Sequence, residues 1–372
     1  MIRPTVARVD LEAIRDNFRA ISRFVAAAGG PAPGIVAVVK ANAYGHGALE
    51  VARALEGAGA AMLACADIEE GIVLRRGGVQ VPILVFGALS VSDLDGIFTD
   101  RLTPTISTPS AGRALEDAAA RHGVVLHCHL KIDTGMNRLG FRHDNIDATI
   151  PEIAGSVHLA IDAVYTHFAT ADDAEHPLFG EQRERFESVL ARLPGLGVHA
   201  PIRHAANSAA LLRDERVWYD LVRPGLLLYG IVPPPLAATI ALRPALSLSS
   251  RIVAVKGLRA GEGTGYGMKT VVERATTIAV VPAGYADGLD LRLSGRGHML
   301  VRGRRAPIVG SVCMDMAMID VTGTDVAPGD EVVILGRQDD EMMDVREMAA
   351  AVGTIPYELL CRLGARIQRV YD

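Results

Sequence analysis

The sequence predicts an α/β fold, an eight-stranded (β/α)8 barrel followed by a mostly-β C-terminal domain. Two observations carry this expectation. From Ile35 to about Pro224, short apolar runs alternate with helical patterns, the rhythm of repeated βα units. After the proline run at 233–235, apolar runs follow one another across Gly-rich turns. The predicted boundaries are 1–236 for the barrel and 237–372 for the β domain, with the first strand free to join the β domain. A chain of 372 residues is long enough to bury both cores.

Taken in order, Val6–Val9 reads as a short strand, and Asp10 opens a helix as an acidic N-cap. The eight barrel strands are expected at Ile35–Val39, Ala61–Cys65, Pro82–Val85, Leu102–Ile106, Val124–Ile132, Val157–Tyr165, His199–His204 and Tyr219–Val222. Helical patterns such as Ser110–Arg121 and Phe179–Arg192 lie between them. In the second domain, strands are expected at Ala245–Val255, Ala275–Val281, Met299–Val301, Ala306–Val309, Ala317–Val321 and Glu331–Leu335. A helical piece, Val345–Val352, precedes Ile355-Pro356-Tyr357-Glu358.

Composition excludes several classes of function. A net charge of −5 with dispersed Lys and Arg gives no electrostatic case for nucleic acid or an anionic membrane. The opening Met1-Ile2-Arg3-Pro4-Thr5 reaches Arg8 and Asp10 before any long apolar run, so no secretory signal is expected. Pro233, Pro234 and Pro235 spoil the uncharged stretch Leu226 to Leu242 as a membrane helix. Cys65, Cys128, Cys313 and Cys361 contain no C-x-x-C pair, which fits reduced thiols in a cytoplasmic protein.

The chemistry-bearing stretches fall at predicted strand ends. Ile35–Val39 delivers Lys40 into Lys40-Ala41-Asn42-Ala43-Tyr44-Gly45-His46-Gly47. A lysine on a barrel rim can form a Schiff base when neighbouring charge and desolvation favour its neutral amine; the plainer reading is a solvated charge. Lys131-Ile132-Asp133-Thr134-Gly135-Met136-Asn137-Arg138 comes at the fifth strand, where Arg138 offers a flat, multi-donor cation for a carboxylate or phenolate. There the plainer reading pairs Lys131 with Asp133 or leaves it in solvent. His127 and His129 alternate around Cys128 and are expected on one face. Packed or hydrogen-bonded histidines suit them better than a metal site, because no third ligand stands at diagnostic spacing. His167 ends the sixth strand in Tyr165-Thr166-His167-Phe168-Ala169. Asn207-Ser208 and Arg223-Pro224-Gly225-Leu226 follow the last two strands, where barrels recurrently bind phosphate; a simple helix cap is the alternative at Ser208. In the second domain, Gly261-Glu262-Gly263-Thr264-Gly265-Tyr266-Gly267 reads as a glycine-rich hairpin with one exposed aromatic.

These stretches, in this order, resemble the motifs of alanine racemases from Lys40 to Tyr357. The barrel decarboxylases share only the short Lys-Ala/Cys-Asn core of the first motif. The resemblance implies a pyridoxal 5'-phosphate (PLP) enzyme of fold type III that interconverts L- and D-alanine and supplies D-alanine for peptidoglycan. It makes Lys40 the cofactor lysine and one base, and Tyr266 the second base on the opposite face. Neither an alkyl ammonium nor a phenol is a useful base at its reference pKa near 10, so cationic surroundings are required. His167 would stack on the cofactor ring, and Arg223 would face the pyridine nitrogen. A permanent cation there leaves the ring a weaker electron sink than a carboxylate would, which favours racemisation over decarboxylation. A Tyr266–His167–Arg223 hydrogen-bond chain is implied. Lys131 matches a lysine that is commonly carbamylated in the family, holding Arg138 against the substrate carboxylate side and the PLP phenolic oxygen. Tyr44, Asn207, Ser208, Gly225, Leu226 and Tyr357 would hold the phosphate. Gly310-Ser311-Val312-Cys313-Met314-Asp315 resembles Gly-Arg-Val-Cys-Met-Asp, with Met314 and Asp315 beside the substrate carboxylate and Tyr285 at the entrance. Ser311 and Met316 replace the pattern's arginine and glutamine. The resemblance further implies a homodimer whose composite sites take Tyr266 from the partner. Alternatives are a serine or broad-specificity racemase, a decarboxylase of the same fold, and a non-catalytic PLP carrier.

Overall fold

A computed structural model describes residues 4–89 and 92–372. Met1, Ile2 and Arg3, part of the stretch read against a secretory signal, lie outside the described residues. The chain opens with strand β1 (Val6–Val9) and helix α1 (Leu11–Ala26). Asp10 Oδ1 accepts the Ala13 N–H at 2.7 Å, the N-cap bond its sequence position predicts. Ala13, Ile14, Phe18, Ile21 and Val25 bury one face of that helix.

Next come β2 (Gly34–Val38), β3 (Met62–Cys65), β4 (Ile83–Val85), β5 (Thr103–Ile106) and β6 (Leu126–Asp133). A short β7 (Phe141–Arg142) precedes β8 (Leu159–Tyr165), β9 (Ile202–Asn207) and β10 (Leu221–Arg223). Except for β7, which pairs off β6, these strands run in parallel in the order β5-β4-β3-β2-β10-β9-β8-β6, and β5 pairs with β6 to close the barrel. Closure removes both sheet edges and sets all eight strand C-termini on one rim.

Strand β9 differs from expectation: it continues three residues past His204. Ala205 and Ala206 have low strand propensity and read as loop, yet both are fully buried in the tightly packed rim. Both histidines of β6 are hydrogen-bonded: His127 is exposed and pairs with Asp162 (2.9 Å), and His129 is buried with His204 Nε2 at 3.0 Å. A register irregularity of the β6–β8 pair falls between Cys128 and His129, where β8 carries one extra residue.

The chain divides into two compact units. One holds Ile14–Ala43 and Ala48–Arg243; the other holds the N-terminal residues to Ala13, Tyr44–Gly47 and Pro244–Asp372. The second unit is built from β11 (Leu246–Arg251), β12 (Ala254–Leu258), β13 (Gly263–Thr264), β14 (Thr270–Val271), β15 (Thr276–Val281) and β16 (His298–Val301). It continues with β17 (Arg304–Val309), β18 (Ala317–Asp320), β19 (Glu331–Gln338), β20 (Glu341–Met343) and β21 (Gln368–Tyr371). Its main sheet runs β12-β15-β18-β17-β16-β19-β11-β1-β21, and β13 and β14 form a separate hairpin. The single strand expected at Ala245–Val255 is two. At Ile252 and Val253 the backbone bonds pass from Asp330 to Val280, so β11 pairs with β1 and β19 while β12 pairs with β15. Pro356 occupies the first turn of a helix, Pro356–Cys361, which needs no N–H there. Among the described residues no helix is long and apolar enough to cross a membrane.

Candidate active site

Lys40 emerges half-buried just past β2. The next four residues, Ala41, Asn42, Ala43 and Tyr44, all take left-handed backbone angles with φ near 53°. That conformation costs roughly 1–2 kcal/mol per non-glycine residue, so the turn needs external support. Glu70 supplies some of it, accepting the Ala41 N–H at 2.6 Å and the Ala66 N–H at 2.8 Å. Asn42 supplies more, its Oδ1 accepting the Ala48 N–H at 2.8 Å.

The rim of the barrel is strongly cationic. Lys131 lies within β6 at 5% exposure. Desolvation, then the charges of Arg138 and Arg223 and more weakly that of Lys40, bring its ammonium down to about 8 against the opposing pull of Asp133. Asp133 is engaged elsewhere: its Oδ1 receives the N–H groups of Gly135 (3.0 Å) and Asn137 (3.1 Å), shaping the loop that presents the exposed Arg138. The expected alternatives for Lys131, an Asp133 pair or open solvent, therefore give way to a buried, charge-crowded amine.

Arg223 ends β10 and is also buried. Its guanidinium donates to Thr166 O (2.7 Å), Ala205 O (2.9 Å) and His204 Nδ1 (2.8 Å), and lies 3.4 Å from His167 Nδ1. Burial lowers it to about 10, so it stays a cation at neutral pH. An arginine cannot accept a proton, so His204 Nδ1 is the acceptor and its Nε2 carries hydrogen, donating to His129 Nδ1 at 3.0 Å. Desolvation and the Arg223 charge hold His204 and His167 well below the ordinary imidazole range. Mainly desolvation takes His129 to about 4. Tyr165 stacks on His204 at 4.6 Å and bonds Thr105 Oγ1 at 3.0 Å.

Beside this chain, Asn207 caps helix Ser208–Arg213 through Ala210 N (2.9 Å). Ser208 is therefore not the cap; its hydroxyl accepts the Gly225 N–H at 2.9 Å, tying together the segments after β9 and β10. Leu226 follows, fully buried. Lys40, Lys131, Arg138, His167, Arg223, Asn207, Ser208, Gly225 and Leu226 all belong to the barrel unit.

The remaining candidates belong to the second unit. Tyr44 and Tyr357 are ring neighbours at 5.9 Å. Tyr266 sits between β13 and β14 at 77% exposure, so the expected hairpin with an exposed aromatic is what forms. Tyr266, Met314 and Asp315 line a cavity of about 510 Å³, and Tyr285 is a second exposed tyrosine of this unit. Arg366 pins these loops: it reaches Asp287 Oδ1 (2.7 Å), Asp315 Oδ1 (2.7 Å) and Met314 O (3.2 Å). Glu70, His204, Tyr165 and Arg366 escaped the sequence reading. Of these, His204 carried a signal, as a histidine at a predicted strand end.

Comparison with known proteins agrees across the chain. The family described as alanine racemase, N-terminal domain, matches residues 9–233, and alanine racemase, C-terminal domain, matches 245–371. A curated alanine racemase of Symbiobacterium thermophilum is 43% identical, covering 100% of this chain and 97% of that protein. The crystal structure of alanine racemase from D-cycloserine-producing Streptomyces lavendulae superposes with a TM-score of 0.95 at 36% identity, over 100% of this chain and 98% of that one. The alanine racemase of Bartonella henselae, solved with covalently bound pyridoxal phosphate, gives 0.87 at 29% identity over 99% of both chains.

Proposed function

This chain belongs to the alanine racemase family, and from that premise we propose that it interconverts L- and D-alanine with PLP, using two bases. The observation that carries the reading is the buried Arg223, whose guanidinium is fixed by two carbonyls and a neutral histidine. A cation held this firmly cannot act as the carboxylate partner that a strongly electron-withdrawing pyridinium needs.

The donor set fits the cofactor. Arg138, Arg223 and Lys40 each oppose the charge on Lys131, an excess positive field suited to a group bearing a phosphate and a phenolate. In our assignment Tyr44, Tyr357, Ser208, Asn207 and the backbone of Gly225 and Leu226 hold the phosphate. Arg138 takes the phenolate and the substrate carboxylate side, and His167 lies against the ring. When bound, PLP supplies an electron-withdrawing ring that makes the substrate α-proton acidic.

Lys40 anchors the cofactor between turnovers, and its amine moves a proton on one face of the substrate Cα. The Tyr266 phenol moves a proton on the other face, so removal on one side and return on the opposite side inverts the centre. Met314, Asp315 and Tyr285 flank the substrate. Lys131 is carbamylated in this proposal: its amine, eased toward the neutral form, attacks CO2 and loses a proton, leaving an anion that orients Arg138. The exposure of Tyr266 supports a homodimer in which each subunit lends this tyrosine to the other's barrel. The free Cys65, Cys128, Cys313 and Cys361 support a cytoplasmic setting, where D-alanine would feed peptidoglycan synthesis.

The test is direct. Purified protein with PLP and L-alanine is followed by optical rotation, beside Tyr266→Phe. Inversion by the wild type with severe loss in the variant is expected; absence of inversion would overturn the assignment.

A further inference from the structure

Two loops of the second unit meet at an unusually close backbone approach. Gly265, immediately before Tyr266, has φ of 76°, and a Cβ there would stand 3.0 Å from Ser311 N. Gly310 has φ of 71°, and a Cβ there would stand 2.5 Å from Thr264 O. Only glycines allow this reciprocal contact, and it places Ser311 directly against the tyrosine loop. Ser311 is buried, and its hydroxyl donates to Tyr266 O at 3.0 Å.

The second loop is itself anchored. Val312 N donates to Ser294 Oγ (2.9 Å), Cys313 N to Met316 O (2.8 Å), and the Cys313 and Met314 carbonyls receive Tyr285 N and Ala286 N. By contrast, the Tyr266 turn contains positive φ at Gly265, Gly267 and Met268 and presents its aromatic ring outward. A bond from the anchored loop to the carbonyl of Tyr266 fixes the peptide plane from which the phenol projects.

We propose that Ser311 is a positioning residue for Tyr266: its hydroxyl sets the backbone of the residue that carries the phenol. This proposal rests on the reading of Tyr266 as one of two bases. The serine stands where the family pattern has arginine, so the positioning comes from a short, buried side chain acting through the main chain.

The test compares Ser311→Ala, Ser311→Thr and Tyr266→Phe as PLP-loaded enzymes with alanine in D2O. Ser311→Ala should lower kcat about five- to tenfold, the scale of one lost hydrogen bond, with KM within about twofold. Ser311→Thr, which keeps the hydroxyl, should restore most of kcat. With the enantiomer whose α-proton faces Lys40, α-deuterium incorporation with retained configuration should rise relative to inversion in Ser311→Ala. That shift follows because Lys40 still exchanges the proton while return from the other face is impaired. In cofactor-free protein, amide exchange at 265–268 should quicken in the same variant.

Wild-type kcat and exchange ratio in Ser311→Ala, beside a crippled Tyr266→Phe, would overturn the serine proposal alone. A fall in kcat with an unchanged exchange ratio would also overturn it, as a general loss of structure. Full activity in Tyr266→Phe would instead overturn the reading on which it rests.

Discussion

The rim of the barrel and the loop face of the second unit hold their functional groups by opposite means. On the rim, Lys131, Arg223, His204 and His129 are buried, and desolvation and mutual charge set their protonation. On the loop face, Tyr266, Tyr285 and Met314 are exposed side chains, the last two on loops bonded to each other through their backbones. A buried group is tuned within its own fold, whereas an exposed phenol has no comparable local environment. A substitution on the rim should therefore be felt in both stability and rate, and one on the loop face in rate alone.

The largest effects test that separation. Tyr266→Phe should reduce racemisation by about a thousandfold or more, yet change unfolding free energy by no more than about 0.5 kcal/mol, as for an exposed site. Arg223→Leu should bring a similar loss of rate and also about 3 kcal/mol of destabilisation. It strips a donor from His204 and from two buried carbonyls. Urea unfolding beside steady-state racemisation measures both, and an Arg223→Leu protein of wild-type stability would show that the buried guanidinium bonds do not support the fold.

The rim should also report pH through stability. His129 and His204 are held below the unfolded imidazole value, so the unfolded chain binds more protons as pH falls. Their stabilising contribution is therefore complete above about pH 6.5 and is lost as pH falls toward 4. For His129 the displacement from 6.5 to about 4 is worth roughly 3 kcal/mol. Asp100, Asp214 and Asp220 have lowered carboxyl values and lose their contributions only below the ordinary carboxylate value of 3.8, a separate window. Unfolding titrations from pH 7 to 4.5 should show the decline, and His129→Gln should flatten it.

Much of this architecture was legible in the sequence because several barrel strands, such as β2, β3 and β4, are continuous apolar runs. Each of the eight expected strands overlaps an observed one, and Lys40, Arg223 and His167 stand at or beside strand ends as their positions implied. The partnerships were not legible. Arg223 and His204 lie on neighbouring strands, Tyr165 reaches Thr105 across 60 residues, and Arg366 reaches Asp287 across 79. No local period records such bonds. Ala205 and Ala206 misled for a related reason: a rim packed around Arg223 requires small side chains, and small side chains resemble a loop.

Lys131 offers a sharper test of charge on the rim. As an ammonium its lowered value would reduce stability at neutral pH, by roughly 3 kcal/mol for a fall from 10.5 to about 8. That loss would be recovered as pH rises through this window. As a carbamate it would be an anion among cations and would stabilise instead. In cofactor-free protein equilibrated with bicarbonate, Lys131→Met should therefore be less stable than wild type by about 1–3 kcal/mol, and mass spectrometry should find the CO2 adduct on wild type alone. A more stable variant would assign a free ammonium to Lys131.

The smallest effect concerns the left-handed turn that begins beside Lys40. Ala41 is exposed and has φ of 53°, so Ala41→Gly removes no packing and relieves steric strain while adding chain entropy. The two oppose, and the net should be a gain of less than about 1 kcal/mol in unfolding free energy. Catalysis should move the other way, by about two- to fivefold, because a glycine widens the range of backbone angles next to Lys40. The bonds from Glu70 and Asn42 would then hold a looser segment. A variant that becomes more stable and slower together would place this turn with the buried rim, as strain maintained for position. One that becomes more stable at unchanged rate would mean that Glu70 and Asn42 alone hold Lys40 in place.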